Sequence, residues 1–393
     1  MGSENWDIKK LGNIVELKYG KSLKGYKEKT TGVPVFGTNG PIGFTEKPLT
    51  KGPGIIVGRK GAYRGVHYTP GDFYVIDTAY YLLPKINELD LKWVYYALLN
   101  KDLNSLDSGS AIPSTRKEDF YALNITVPPL STQKKIAKFL SDIDEKIDIN
   151  NEMISNLQQI SETIFKEWFI NFEFPNEEGK PYKSSGGEMV ESELGYIPKY
   201  WLVKSLDEIA KFQNGLAMQK FRPVDNNTSL PVLKIKELNQ GSTTSNSERC
   251  SLDIEEKVKV YDGDVIFSWS GTLLVKLWTG GNAGLNQHLF KVTSEKYEKW
   301  FYYLWTKYYL KVFQARAAEK ATTMGHIKRS HLKEAKIYLP PQETLKQASI
   351  LIQPIIEKTV VLGIENKKLA HLRDTLLPKL LTGEVENFDD LEV

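Results

Sequence analysis

IAKFLSDIDEKIDINNEMISNLQQISETIFKEW, residues 136–168, is the stretch that decides the architecture. Ile136, Ile143, Asn150, Leu157 and Ile164 recur every seven residues, and Leu140, Ile147, Ile154, Ser161 and Trp168 follow four residues behind. Such a heptad, sustained over about 33 residues, makes one strand of a coiled coil. The pattern returns 212 residues later without an insertion, as Ala348, Ile355, Leu362, Leu369 and Leu376 with Ile352, Thr359, Asn366, Arg373 and Leu380. The natural partner of the first helix is therefore the second. Helices related by a local twofold perpendicular to them run antiparallel. Setting Asn150 against Asn366 then places Ile147 on Leu369, Leu140 on Leu376, Ile164 on Ile352 and Trp168 on Ala348. A buried Asn–Asn layer costs stability but fixes register and direction.

The repeat extends outward from these helices. Trp6, Leu11, Ile14 and Gly20 return 195 residues later as Trp201, Leu206, Ile209 and Gly215. Val33-Pro34-Val35 returns as Leu230-Pro231-Val232, Gly54–Gly61 as Asp264–Gly271, and Trp93-Val94-Tyr95-Tyr96 as Trp300-Phe301-Tyr302-Tyr303. Pro128-Pro129 and Pro340-Pro341 each open a long helical segment. Two similar modules with pseudo-twofold symmetry predict a ligand that itself has two parts. Each module reads as α+β, with short β-branched and aromatic runs between Gly, Pro and Asn punctuation. Predicted strands are Val33–Gly37, Ile55–Val57, Tyr74–Ile76 and Ile125–Val127, then Val232–Ile235, Val265–Ser268, Leu289–Val292 and Ala335–Leu339. Helices are predicted over Leu91–Leu99 and Tyr297–Phe313, their Trp and Tyr residues facing the core.

Net charge is +3, but it alternates along the chain: +6 over residues 1–135, −7 over 136–200, +7 over 201–340 and −3 over 341–393. Two basic bodies joined by acidic rods suit two contacts with a polyanion. The single cysteine excludes an intrachain disulfide and a cysteine zinc site, and fits a reducing cytoplasm. No stretch approaches the roughly 20 apolar residues of a membrane span. Phe172–Trp201, with its Pro, Gly and Ser clusters, reads as an extended linker.

Catalytic signatures are missing. There is no dinucleotide or phosphate-loop glycine pattern and no paired histidines at zinc spacing. Asp142, Asp144, Glu145 and Asp148 on a heptad helix read as a solvated face. The basic loops are better candidates: Lys18 to Ser22, Gly58 to Gly65, Ser108 to Ser110 and Ser114 to Lys117, then Gln213 to Gly215, Ser268 to Thr272, Asn286 to His288 and Thr322 to Arg329. Lys and Arg would hold phosphates, and Arg, Asn or Gln can fork onto purine edges. The predicted contact residues are Lys18, Lys21, Ser22, Asn39, Arg59, Lys60, Tyr63, Arg64, Ser110, Thr115 and Arg116 in the first body. In the second they are Asn214, Lys220, Lys234, Ser268, Ser270, Thr272, Asn286, Gln287, His288, Thr323, His326, Lys328 and Arg329. A weaker helix stripe, Phe139, Met153, Ile160, Leu351 and Leu372, either packs on the chain's own bodies or docks helices of a partner.

The chain resembles the specificity subunits of type I restriction–modification enzymes. The resemblance spans essentially the full length. It is carried by Ile164–Phe172, Met189–Pro198 running on to Trp201, Leu372–Glu384, and the lead-ins Pro129–Gln133 and Pro341–Gln342. It implies target-recognition domains at 1–135 and 201–340, conserved helices at 136–172 and 341–381, a linker at 173–200 and a tail at 382–393. It further implies that the chain itself is non-catalytic and binds no cofactor or metal. Double-stranded DNA, two methyltransferase (modification) subunits and restriction/translocase subunits would be its partners, with S-adenosylmethionine, ATP and Mg bound on those subunits and no membrane involved. The expected fold is two pseudo-twofold-related α/β domains separated by two long antiparallel coiled-coil helices. The alternatives are a free-standing methylase or nuclease with a diverged active site, and a protein-binding coiled-coil scaffold.

A helix of about 33 residues rises roughly 50 Å, the length of about 14 base pairs. Lengthening both helices by one heptad, about 10 Å, is expected to lengthen the tolerated spacer in a DNA-binding screen by roughly three base pairs. An unchanged spacer preference would refute the ruler.

Overall fold

The computed structural model describes residues 6–61, 63–106, 114–225, 228–318 and 325–385. The chain divides into two units, Met1–Glu145 with Ala370–Val393 and Lys146–Leu369.

Unit 1 begins with β1 (Asp7–Lys10), α1 (Leu11–Ile14), β2 (Val15–Tyr19), β3 (Val33–Gly37), β4 (Gly40–Thr45) and β5 (Gly54–Gly58). It continues through β6 (Val66–Thr69), β7 (Tyr74–Val75), β8 (Ala79–Pro84), α2 (Leu91–Leu99), α3 (Lys117–Tyr121) and β9 (Asn124–Val127) into α4 (Leu130–Phe165). A four-stranded sheet runs β2-β8-β5-β6, a three-stranded sheet β4-β3-β7, and β1 pairs with β9. β5 is buried along its whole length because both its faces are covered. Ile55 and Val57 enter the main core with Trp93, Tyr96 and Phe120, while Ile56 points the other way to Phe36 and Phe73. Asp90 caps α2 by accepting the Trp93 N–H at 2.8 Å.

Unit 2 repeats the main sheet and the terminal strand pair of this topology, while its second sheet has four strands where that of unit 1 has three. Its elements are β10 (Met189–Ser192), β11 (Gly195–Pro198), β12 (Leu202–Ser205), α5 (Leu206–Ile209), β13 (Lys211–Asn214), β14 (Ser229–Leu233), α6 (Ile235–Gln240) and β15 (Arg249–Ser251). Then come β16 (Lys259–Val260), β17 (Val265–Ser268), β18 (Leu274–Leu277), β19 (Ala283–Leu285), β20 (Leu289–Thr293), α7 (Lys299–Ala318), α8 (Arg329–Glu334), β21 (Lys336–Leu339) and α9 (Gln342–Thr382). The sheet β13-β20-β17-β18 matches β2-β8-β5-β6, and β12 pairs with β21 as β1 does with β9. Val265 and Phe267 enter one core and Ile266 the other, as in β5.

Several boundaries differ from expectation. α4 starts at Leu130 rather than Ile136, and ends in a π-helical turn, Lys166–Ile170. The predicted strand Val232–Ile235 stops at Leu233, because Ile235 already begins α6. Phe172–Trp201 is no extended linker. It holds the β10–β11 hairpin, and Phe172, Phe174, Ile197 and Trp201 are buried in the unit 2 core. Its aromatic residues outweigh its Gly and Ser content. α9 is also long and apolar enough by composition to cross a membrane. Uninterrupted runs do not reveal it, since its apolar residues are spaced to pack: Ala348, Ile352 and Ile356 in unit 2, Leu376 and Leu380 in unit 1.

Within each unit α4 and α9 pair antiparallel in the expected register. In unit 2, Asn150 Nδ2 donates to Asn366 Oδ1 at 2.9 Å and to Glu365 at 3.0 Å. Ile164 and Trp168 lie against the core that holds Ile352 and Ala348. In unit 1, Leu140 and Leu376 share the core, and Arg373 donates to Asp144 at 2.7 Å. The seam residues Ile143 and Leu362 are buried, and Ile147, Ile154, Leu157, Ile355 and Leu369 are half-buried. Arg373 explains how a charge sits at a seam position: the Asp144 carboxylate, which also accepts the Tyr96 hydroxyl at 2.6 Å, pairs with it.

Candidate nucleic-acid interface

Strand register brings the loops of unit 1 to one end of its main sheet. Tyr19 lies opposite Tyr80, Gly58 opposite Ala79 and Val57 opposite Val66. The β3–β4 turn is tied there, because the Thr38 hydroxyl donates to the Lys60 and Thr78 carbonyls, both at 2.9 Å. The segment before α3 joins through the Thr115 N–H, which donates to the Arg59 carbonyl at 3.0 Å. Gly20 is required at this crossing: a Cβ there would stand 2.0 Å from the Ile76 carbonyl oxygen.

This end presents an aromatic ring with two cations close to it. Tyr19 is half-exposed and its ring centre lies 5.0 Å from that of Tyr80. The Arg59 guanidinium sits 5.1 Å from the Tyr19 ring centre, and the Lys117 ammonium 4.4 Å from it. Arg59 also donates to the Asp77 carbonyl at 3.0 Å, and Lys60 approaches the Asp77 carboxylate at 3.8 Å. Burial pushes the Tyr80 hydroxyl up, so it stays protonated beneath the cations. Tyr63, Lys21, Ser22 and Asn39 are exposed nearby in sequence or register. Lys18 and Arg116 are engaged by their own neighbours. Glu16 accepts from Lys18 at 2.6 Å and holds its ammonium pKa up, and Asp119 lies 3.3 Å from Arg116. Tyr19 and Lys117 fall inside loops marked from sequence without being among the predicted contacts. Nothing in their spacing shows that they meet.

Unit 2 builds the same end on the same backbone frame. The Gly20 N–H donates to the Ala79 carbonyl at 3.2 Å, and the Gly215 N–H to that of Leu289 at 3.1 Å. Arg59 to Thr78, at 3.0 Å, corresponds to Trp269 to His288 at 3.4 Å; Thr115 to Arg59 corresponds to Ile327 to Trp269, both 3.0 Å. The Lys60–Ser114 bridge matches Ser270–His326. A Cβ on Gly215 would stand 2.2 Å from the Leu285 carbonyl oxygen. At these frame positions the side chains differ. Asn214 replaces Tyr19, Phe290 replaces Tyr80, Trp269 replaces Arg59, His288 replaces Thr78 and Arg329 replaces Lys117. Trp269 contacts His288, Phe290 and His326 at ring-centre distances of 5.9, 5.7 and 6.5 Å. Arg329 lies 5.6 Å from the Phe290 ring centre. Lys220, Thr272, Gln287 and Lys328 are exposed, and Lys234 is ion-paired with Glu248.

Five predicted contacts are inside the protein and shape the loops. Arg64 is 3% exposed, and its guanidinium donates to the carbonyls of Gly61 and Asn104 at 3.0 and 2.7 Å. The buried Thr115 hydroxyl donates to Leu106, and the buried Ser268 hydroxyl to Thr272. Ser270 and Asn286 are also buried. Glycine-rich basic loops need internal donors to hold their carbonyls, and residue type alone does not separate these from outward-facing ones. Ser110 and Thr323 lie outside the described residues. Among the described residues no group of His, Cys, Asp and Glu is arranged to hold a metal ion.

The helix stripe splits. Phe139 and Leu372 pack against the unit 1 core, whereas Met153, Ile160 and Leu351 are 40%, 49% and 45% exposed. Ile149, Ile350 and Val361 join the exposed set.

A family model described as type I restriction modification DNA specificity domain matches residues 3–159 and 198–372. The chain is 28% identical over 306 residues to the type I restriction enzyme MjaIX specificity subunit of Methanocaldococcus jannaschii, covering 75% of this chain and 69% of that one. It is 21% identical over 380 residues to the HindI specificity subunit of Haemophilus influenzae, covering 80% and 82%. Among solved structures, the type I restriction–modification S subunit from M. genitalium superposes with a TM-score of 0.61 at 19% identity over 96% of both chains, a likeness of fold.

Proposed function

The chain belongs to the type I restriction–modification DNA specificity family, and from that premise we propose that each of its two bodies reads one half of a bipartite, asymmetric DNA site. One observation carries this reading: both sheet ends share a backbone hydrogen-bond frame but display different side chains. A duplicated reader that kept its frame and changed its contact groups recognises two unlike sequences. The cation–tyrosine cluster of unit 1 suits phosphates and guanine edges, and Arg329 gives unit 2 one cation of its own. Residues 1–135 and 201–340 act as the target-recognition domains in this reading.

The chain itself performs no methyl transfer or cleavage. Two adenine-methyltransferase subunits dock on the paired helices, where Met153, Ile160 and Leu351 are exposed. Restriction subunits join them, and S-adenosylmethionine, ATP and Mg are bound by those partners in the cytoplasm. Mapping methylated adenines after reconstitution of the full chain with its methyltransferase subunits is expected to reveal a two-part motif with an unspecified spacer. A contiguous palindromic motif, or methyl transfer by the chain alone, would overturn the reading; the second outcome favours a free-standing methylase.

A further inference from the structure

Strand pairing puts six residues of unit 2 on one face of its main sheet. Asn214 lies opposite Phe290 across β13–β20, and Phe267 lies opposite Phe290 across β17–β20. Residues two apart share a face, which adds Phe212, Trp269 and His288. At the loop end of this face three buried polar atoms have no hydrogen-bond partner among the described residues: Trp269 Nε1, His288 Nδ1 and Asn214 Oδ1. Unpaired buried polar atoms are costly and rare, so a face that collects three is built for a ligand that pairs them. The unpaired buried side-chain atoms of unit 1, Arg64 Nε, His67 Nε2 and Trp93 Nε1 among the described residues, stand at other positions.

The role of each atom follows from its chemistry. The indole nitrogen of Trp269 can only donate. The Gln287 amide nitrogen lies 3.3 Å from His288 Nε2 and, as an amide nitrogen, can only donate to it, which leaves the ring proton on Nδ1. Asn214 Oδ1 can only accept. The face therefore offers two donors and one acceptor, with Arg329 over Phe290 at its rim.

We propose that Trp269, His288 and Asn214 are the base-discriminating residues of the second body. Trp269 and His288 donate to base-edge acceptors in the major groove, and Asn214 accepts from an exocyclic amine. The base-reading groups of the two half-sites then differ: cations over a tyrosine in the first body, an indole, an imidazole and an amide in the second. This inference rests on the proposed function.

The test uses the full chain assembled with its methyltransferase subunits on a library of randomised sites. Trp269→Phe keeps the ring and removes only the N–H. Asn214→Leu, on a half-buried side chain, removes the acceptor without touching the ring. Each is expected to relax discrimination on the order of 10-fold at one or two positions of one half-site, leaving the other half unchanged. Unaltered preference in both variants, or a uniform loss of methylation at all sites, would overturn the assignment. A wild-type assembly with no sequence preference at all would instead overturn the functional reading, and this inference with it.

Discussion

A chain ending at Leu369 is expected to lose the fold of its N-terminal body while keeping that of the second. Residues 370–393 belong to unit 1 although they are far from it in sequence. Leu376, Leu380 and Leu381 are 8%, 0% and 7% exposed and complete the core that holds Leu11, Trp93, Ile136 and Leu140. Truncating one buried leucine to alanine costs about 2–5 kcal/mol, so losing three removes a free energy comparable to the whole stability of a domain, about 5–15 kcal/mol. The truncation also takes away Arg373, leaving the Asp144 carboxylate with the Tyr96 hydroxyl alone of its two partners. Hydrogen exchange resolves the two bodies. Amides of β5 and β8 should lose protection, while those of β17 and β20 keep it. Retained protection in β5 and β8 would show that the C-terminal turns are dispensable to this core.

The second large effect concerns binding. Arg59→Ala together with Lys117→Ala is expected to weaken DNA binding of the assembled complex roughly 10-fold or more, and to flatten the slope of log affinity against log salt by about two if both contact phosphate. Both cations lie over Tyr19, and the frame beneath is held by main-chain hydrogen bonds that alanine keeps. Arg329→Ala in the second body removes one cation and should flatten the slope by about one. If Arg59 instead forks onto guanine, the loss appears as relaxed preference at one position of the first half-site with a smaller change in slope. Unchanged affinity and slope in the double variant would remove this surface from the interface.

Much of this was legible without coordinates. Asn150 and Asn366 meet as their heptad positions require, because the seam of each helix carries a single Asn and pairing the two fixes the register of every other layer. The strand Val265–Ser268 and the helix Leu91–Leu99 stand where their apolar patterns put them. The loops were harder. Arg64 and Arg59 are five residues apart in one glycine-rich loop, yet one braces carbonyls inside while the other lies over a tyrosine ring. Phe172–Trp201 looked like a spacer by its glycines and serines, but its aromatic residues found a core.

By itself the amino-acid order determined the duplication and the antiparallel register. These follow from periodicity and repetition, which are properties of the chain taken one residue after another. Only the tertiary structure decided which loop residues face outward, which body the last turns of α9 complete, and that Tyr19, Arg59 and Lys117 form one cluster. Those depend on the distance between residues many positions apart, and strand pairing and burial set that distance where local sequence does not.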